Sequence, residues 1–148
     1  MREILFRGKT KAITGCPYNN GKPDGEWVFG YVFSDLGAMK IRQYETDRPE
    51  CNDYEVDPET VGQYTGLTDC FGIKIFEGDI IEINHPYAGK FVSEVIWDMD
   101  CWSLKDFYFT CFDYPNMAFS EGTEYMKVIG NIFDNPELLG GETNGINR

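Results

Sequence analysis

The sequence has little of what most enzymes depend on. Its only histidine, His85, precedes Pro86 in a predicted loop, and a lone histidine without patterned cysteine or carboxylate partners is a weak indicator of a metal site or a catalytic base. No Ser-His-Asp set can be built around that one position. The central glycines also lack the spacing of a phosphate-binding loop. We therefore assign no catalytic, cofactor-binding or metal-binding residue, and we expect no cofactor.

Long apolar runs and cysteine motifs are also missing. No stretch of about 18 apolar residues occurs, so we expect no membrane span. Near the N-terminus, Arg7 and Lys9 interrupt the apolar residues before the apolar region of a signal peptide would be complete. The cysteines are odd in number and form no C-x-x-C pair. They predict a cytosolic protein with reduced thiols, some of which fill core space: Cys16, Cys51, Cys70, Cys101 and Cys111.

Basic residues are scarce after the first third of the chain. Residues 1–48 hold eight basic and six acidic side chains, whereas residues 49–148 hold five basic and nineteen acidic ones. A net charge of −12 repels phosphate backbones, so we do not expect nucleic acid as a partner. Two interpretations of the acidity stay open: it serves solubility, or it forms an acidic surface that imitates nucleic acid and engages a basic protein. Nucleic-acid binding remains an alternative through the early basic residues, which are Arg2, Arg7, Lys9, Lys11, Lys22, Lys40, Arg42 and Arg48.

Aromatic residues, in contrast, are abundant, at 16% of the chain. Aromatic and β-branched residues fit the pleated surface of a sheet, so the fold class predicted is mainly β, or β-rich α+β. Residues 26–33 are aromatic or β-branched almost throughout, which predicts a strand covered on both faces, with Gly30 at a bulge or a close backbone contact. No helix longer than two turns is indicated. The predicted strands are 3–9, 26–33, 38–44, 73–76, 80–83, 91–97, 101–104, 107–112 and 125–133.

Residues 56–83 have the clearest local pattern in the chain. Asp57 and Pro58 are typical of a helix N-cap and a first helical position, and Gly62 stops that helix after about one turn. A β-turn is predicted at 69–72, with Asp first and Gly last, and a second tight turn at 77–79. The glycines and acids of this stretch therefore indicate caps and turns rather than a loop-borne active site.

Three parts follow from these elements. Residues 1–55 form an N-terminal β-hairpin subdomain, with the polar segment 45–53 as the best candidate boundary. Residues 56–139 form a connector and a small SH3-like barrel, since short strands recur there every 8 to 12 residues. Closure would remove edges that such aromatic strands could not safely leave open. Residues 140–148 form a flexible tail.

Two groups of side chains could carry a function. One is a set of carboxylates that a metal-dependent hydrolase or nuclease could use, although caps and turns explain most of them better; these are Asp57, Glu59, Glu77, Asp79, Asp98 and Asp100. The other is an aromatic patch able to bind peptides or bases, unless its members are core residues; these are Trp97, Trp102, Tyr108 and Tyr114.

Five segments, in order, resemble a known family: 2–9, 26–31, 54–69, 71–81 and 128–139. They resemble the YopX protein family, small proteins found mainly in bacteriophages and prophages. The resemblance implies a β-rich protein with an SH3-like portion and carries over no catalytic residue. One departure is Cys70-Phe71, where the family usually has Lys-Asn. An aromatic side chain in a turn needs a neighbour, so we expect Phe71 to be tucked in.

Together these features predict a phage or prophage accessory protein of the bacterial host cytosol. We expect it to be non-enzymatic and to act through contacts with a protein partner, with the acidic surface as one means of engaging a basic host protein. The metal-dependent enzyme and the nucleic-acid binder are the alternatives, and self-association is left open.

Overall fold

The computed structural model describes residues 3–11, 18–19, 22–44, 51–85, 89–98, 101–105 and 125–139. The chain forms two compact units, which divide between Tyr64 and Thr65. Both are built from antiparallel strands joined by turns, so the predicted β-rich fold class is confirmed. In the described part of the chain, no helix is long and apolar enough to cross a membrane.

The first unit is an antiparallel sheet. Its strands are β1 (Phe6–Lys9), β4 (Trp27–Asp35), β5 (Ala38–Tyr44) and β6 (Cys51–Glu55), in the order β6-β5-β4-β1, and β1 also pairs with the start of β7 (Gly62–Thr68). Two short strands, β2 (Tyr18–Asn19) and β3 (Lys22–Pro23), pair with each other.

Strand β4 changes partner along its length. Its residues 27–30 pair with β1, and its residues 31–35 pair with β5. Gly30 lies at the change, where an added Cβ would overlap the carbonyl oxygen of Arg42 on β5. The close backbone contact predicted at Gly30 is therefore confirmed, and only a residue without a Cβ fits there.

The core of the first unit lies on one side of this sheet. Val28, Ile41, Tyr54 and Val56 are buried together, and three partly buried side chains pack against them: Val32, Met39 and Val61. These residues alternate along each strand, as expected when one face of a sheet is buried. The prediction that both faces of the strand at 26–33 are covered is wrong, because only the side that carries Val28 packs against this core.

A short helical turn leads into β7. Asp57 caps a 3₁₀ turn at Pro58–Thr60, its side chain accepts the Glu59 N–H, and Pro58 takes the first helical position. The cap and the early stop are therefore confirmed. The buried Thr60 hydroxyl donates to the Asp57 carbonyl (2.7 Å) and accepts the Lys9 N–H (2.9 Å), which fastens this turn to β1.

The second unit contains a four-stranded antiparallel sheet, in the order β11-β10-β9-β12. These strands are β9 (Asp79–His85), β10 (Gly89–Asp98), β11 (Cys101–Leu104) and β12 (Met126–Asn131), and a short strand β8 (Lys74–Phe76) pairs with β7. The predicted strands at 73–76, 80–83, 91–97 and 101–104 are confirmed, and residues 137–139 are helical. The predicted strand 107–112 and the tail 140–148 lie outside the described residues, so closure into a barrel stays a prediction.

The second unit has a core of its own. Six buried side chains form it: Ile75, Ile81, Ile83, Val95, Leu104 and Met126. Both predicted turns are present, since the Gly72 N–H donates to the Asp69 carbonyl (3.0 Å) and residues 77–78 reverse the chain before β9. The prediction that Phe71 is tucked in is wrong. Its side chain is exposed, and the neighbour of its ring is the Lys127 ammonium, 5.9 Å from the ring centre, rather than the core.

Candidate functional site

A row of aromatic side chains lies on the solvent side of β4. Trp27, Phe29, Tyr31 and Phe33 are two residues apart, so their side chains lie on the same face of the strand, opposite Val28. Phe29 is 41% exposed and Tyr31 is 56% exposed. Successive members of such a row stand about 6.6 Å apart along a strand. We call these four residues and the basic residues beside them the aromatic face.

Two basic residues of β1 flank one end of the row. In the sheet register Arg7 stands opposite Phe29, and Lys9 stands opposite Trp27. The guanidinium carbon of Arg7 lies 4.6 Å from the centre of the Trp27 ring, and the Lys9 ammonium lies 5.6 Å from it. Both distances permit cation–π attraction. Trp27 is therefore held in place by cations and supports that end of the row.

Two basic residues of β5 flank the other end. Arg42 stands opposite Tyr31, and Lys40 stands opposite Phe33. The Arg42 guanidinium lies 5.0 Å from the centre of the Phe33 ring and also donates to both carboxylate oxygens of Asp53 (2.8 and 3.0 Å). A planar guanidinium can bind a carboxylate and a ring face at the same time, so Arg42 joins β6 to the aromatic face.

Ion pairs at the edge of the face shift two pKa values. The hydrogen bonds from Arg42 hold the pKa of Asp53 below its ordinary value, and the positive charge of Arg42 adds to that effect. The hydrogen bond from Lys40 to Asp35 (2.9 Å) raises the pKa of Lys40. Lys40 is therefore charged at neutral pH, and both Lys40 and Arg42 already engage carboxylates of this chain.

The groups on the aromatic face are suited to binding. Its chemistry consists of ring surfaces, a phenol, guanidinium and ammonium groups, and the edge carboxylates. Rings of this kind bury large apolar areas and accept cations on their faces. The period-two row at 27–33 is visible in the sequence. Sequence reasoning missed its exposure because it treated the whole strand as buried.

The predicted carboxylates that the structure describes do not gather into a metal site. Among the residues that the structure describes, no three His, Cys, Asp or Glu side chains lie together. Asp57 caps a turn, and the buried Asp79 accepts the Phe76 N–H (2.7 Å). Glu59 lies on the exposed 3₁₀ turn and Glu77 in the turn before β9. The side chain of Asp98, the last residue of β10, and the whole of Asp100 lie outside the described residues.

Two members of the predicted aromatic patch lie in the described part of the chain. Trp97 of β10 is exposed, Trp102 of β11 packs against the core, and their ring centres lie 4.8 Å apart at 72°. Tyr108 and Tyr114 lie outside the described residues. Cys70 is exposed and carries a free thiol; the side chains of the other four cysteines and of His85 are outside the described part.

Comparisons with known proteins give one family and one fold. The model of the family described as YopX protein matches residues 31–140. The crystal structure of protein EF1440 from Enterococcus faecalis is similar, with a TM-score of 0.54, 23% sequence identity, 94% of this chain covered and 99% of that chain covered. At that identity the similarity concerns the fold alone. No curated protein matches the sequence.

Proposed function

The chain belongs to the YopX protein family, and we propose that it is a non-enzymatic binding protein that acts through protein–protein contacts. Its contact surface in this proposal is the aromatic face of the first unit. In the same proposal the protein is a phage or prophage accessory protein and works in the cytosol of a bacterial host.

One observation carries this proposal. Phe29 and Tyr31 are 41% and 56% exposed in the middle of a strand whose other face is core. Exposed aromatic rings on a rigid element provide contact area at a small cost in conformational entropy. Protein interfaces are enriched in Tyr, Trp, Phe and Arg near their centres, whereas Lys, Asp and Glu are depleted there. The aromatic face has this composition, with its ion pairs at the edge.

The charges of the face favour a protein over a polyanion. Arg42 and Lys40 are paired with Asp53 and Asp35, and the cations of β1 lie against the Trp27 ring. Residues 1–64 hold eight basic and eleven acidic side chains. A phosphate backbone would have to compete with these internal partners and approach an acidic chain.

The acidic surface expected from the net charge is a separate part of the proposal and does not involve the aromatic face. Within the described second unit, Asp69 and Asp79 face inward and accept backbone N–H groups, and Glu82 and Glu94 pair with lysines. An acidic surface that engages a basic host protein would therefore depend on other acids, many of which lie between residues 98 and 124.

A capture experiment with a matched control tests the contact surface. The tagged full-length protein is incubated with bacterial host lysate beside a double variant, Phe29→Ser with Tyr31→Ser, and a control, Leu36→Ser. Leu36 is a fully exposed apolar residue in the turn after β4, so its loss removes apolar surface without touching the aromatic face. We expect wild type and control to retain a protein that the double variant loses.

Repeating the capture at low and high salt separates the two parts of the proposal. Retention that depends on the aromatic pair at both salt concentrations supports the aromatic face alone. Retention that disappears at high salt supports a contribution from the acidic surface. A partner retained equally by all three proteins would show that the aromatic face is not the contact, and a second copy of the chain would appear as a larger species in light scattering.

Single-stranded nucleic acid is the second candidate, because aromatic rings with neighbouring cations on a sheet also form stacking platforms for bases. Fluorescence anisotropy with labelled single-stranded DNA and RNA tests it. This candidate requires that the wild type binds the labelled strand, that added salt weakens this binding, and that the Phe29/Tyr31 double variant binds less tightly than the wild type. Binding that is absent at low salt would exclude it for these probes.

A further inference from the structure

A second exposed feature lies in the other unit, in the turn at residues 69–73. The Asp69 side chain is only 6% exposed and accepts three backbone N–H groups. Its Oδ1 accepts from Phe71 (2.8 Å) and Ile73 (2.9 Å), and its Oδ2 accepts from Val128 (2.9 Å). A carboxylate bonded in this way fixes a turn more firmly than backbone bonds alone, because bonds to charged groups are the stronger ones.

The turn is also fastened to the sheet. The Cys70 N–H donates to the Met126 carbonyl (3.0 Å), and the Asp69 N–H donates to the Ile73 carbonyl (2.8 Å). The bond from Cys70 to Met126 and the bond from Val128 to Asp69 hold the turn against two residues of β12. Its backbone is therefore preorganised, and the side chains that it carries have defined positions.

Those side chains are apolar and open to solvent. Phe71 is 70% exposed, more than any other described aromatic side chain, and Ile73 is 53% exposed. Neither belongs to the core cluster that contains Ile75. Exposed apolar side chains on a rigid support lose little conformational freedom when they enter a partner's pocket, so the turn is suited to docking.

The charge around these two residues differs from that of the unit as a whole. Residues 65–148 hold fourteen acidic and five basic side chains, yet exposed lysines lie on both sides of the turn. Lys74 follows Ile73, and the Lys127 ammonium lies 5.9 Å from the centre of the Phe71 ring. Lys90 pairs with Glu82, and Lys105 pairs with Glu94. The apolar pair is thus framed by cations on an acidic unit.

From this combination we propose that residues 69–73 dock an acidic segment of a protein partner. An apolar side chain of that segment packs on Phe71 and Ile73, and a carboxylate next to it pairs with Lys127. Charge complementarity selects an acidic partner segment, since a basic one would meet the Lys127 ammonium beside the Phe71 ring. This site lies in the second unit and does not depend on the aromatic face.

A peptide selection tests the proposal and does not require the partner to be identified first. A phage-displayed random dodecapeptide library is selected on the full-length protein after depletion on the Phe71→Ser variant. We expect the recovered peptides to be rich in Asp and Glu around at least one apolar residue. Anisotropy with one labelled peptide should then show affinity weakened about tenfold by Phe71→Ser, as for a buried aromatic anchor.

Matched controls separate the site from general effects. Leu36→Ser removes a fully exposed apolar residue of the other unit and should leave the affinity unchanged. Lys127→Gln should weaken binding, and more so at low salt, whereas Lys105→Gln removes an exposed lysine elsewhere in the same unit and should not. Lys127→Gln also serves as the second test if Phe71→Ser lowers the yield of folded protein.

Several results would overturn the proposal. These are a selection that recovers no sequences, a selection that recovers basic or uncharged ones, and peptides that bind the Phe71→Ser and Lys127→Gln variants as tightly as the wild type. Circular dichroism melts of each variant confirm that the fold is intact, because none of these substitutions removes a bond of Asp69.

Discussion

At the scale of single residues, Asp69 has the most structural consequence. Its place at the start of a β-turn could be predicted from the Asp-x-x-Gly pattern. Its second oxygen, however, accepts an N–H group from a strand 59 residues later in the chain. No local pattern contains that contact, so a residue that reads as a turn former also fastens β12 to the rest of the unit.

We expect Asp69→Asn to destabilise the protein. An asparagine keeps one oxygen acceptor but presents an NH₂ group where Oδ2 accepts from Val128, and a buried donor left unsatisfied costs about 1–3 kcal/mol. Urea unfolding monitored by circular dichroism measures the change. Asp57→Asn is the matched control, because Asn is as good an N-cap as Asp and that side chain is not buried. Equal losses for the two variants would contradict the role assigned to Asp69.

The Arg42–Asp53 pair predicts a dependence of stability on pH. Hydrogen bonding from Arg42 lowers the pKa of Asp53 from its ordinary value of 3.8, so the folded state favours the charged carboxylate. The resulting stability is present above the unfolded pKa and is lost as pH falls through the folded pKa. The side chain is about one third exposed, so the contribution is at most about 1 kcal/mol.

The measurement is the free energy of unfolding between neutral pH and the acid limit for wild type and Asp53→Asn. The variant should be less stable at neutral pH and should converge with the wild type below the folded pKa of Asp53. Asp24→Asn, a substitution at an exposed position away from this pair, serves as the control. A constant difference between wild type and Asp53→Asn at every pH would contradict the ion pair.

At the scale of elements, β4 decides how the first unit is arranged. It pairs with β1 along its first half and with β5 along its second half. This change of partner brings the β5 backbone against Gly30. The same strand separates the core from the aromatic face, because residues that alternate along it point to opposite sides.

Gly30→Ala should be strongly destabilising. Its new methyl group would overlap the Arg42 carbonyl oxygen, and backbone cannot move aside as a side chain can, so we expect a loss at or above the upper end of the range of about 1–3 kcal/mol for overpacking. Gly37→Ala tests the cost of a positive φ alone, since φ at Gly37 is +84° and an added Cβ would meet no other atom. We expect it to lower the free energy of unfolding by about 1 kcal/mol. Thermal unfolding distinguishes them. A smaller loss at Gly30 than at Gly37 would contradict the close approach.

At the scale of the whole molecule, charge is the dominant property. A net charge of −12 on 148 residues destabilises the compact state through self-repulsion. Added salt screens interactions between exposed charges over about 10 Å at 0.1 M. We therefore expect the Tm at neutral pH to rise with NaCl concentration.

Calorimetry at low and high NaCl measures this effect, and pH supplies the control. Near the sequence pI of about 4.4 the net charge vanishes, so the gain in Tm should disappear there. A gain of equal size at both pH values would indicate preferential exclusion of salt from the surface rather than screening of charge.

The sequence by itself determined most of the strands and the caps and turns between them. Period-two patterning predicted most strands, and Asp57-Pro58 and the Asp-x-x-Gly segment at 69–72 predicted a cap and a turn that the structure confirms. These features are local, since propensity, capping and turn chemistry act over a few residues. The family also follows from segments that lie in order along the chain.

Only the tertiary structure decided which surfaces face solvent. Alternation shows that Phe29 and Val28 point to opposite sides, but the side that is buried depends on Ile41, Tyr54 and Val56, which come from other elements. The turn that carries the exposed Phe71 is likewise held by a contact from Asp69 to the distant strand β12. Burial is a property of what packs against a residue from distant parts of the chain, so the aromatic face and the exposed turn at 69–73 became visible only when the strands were assembled.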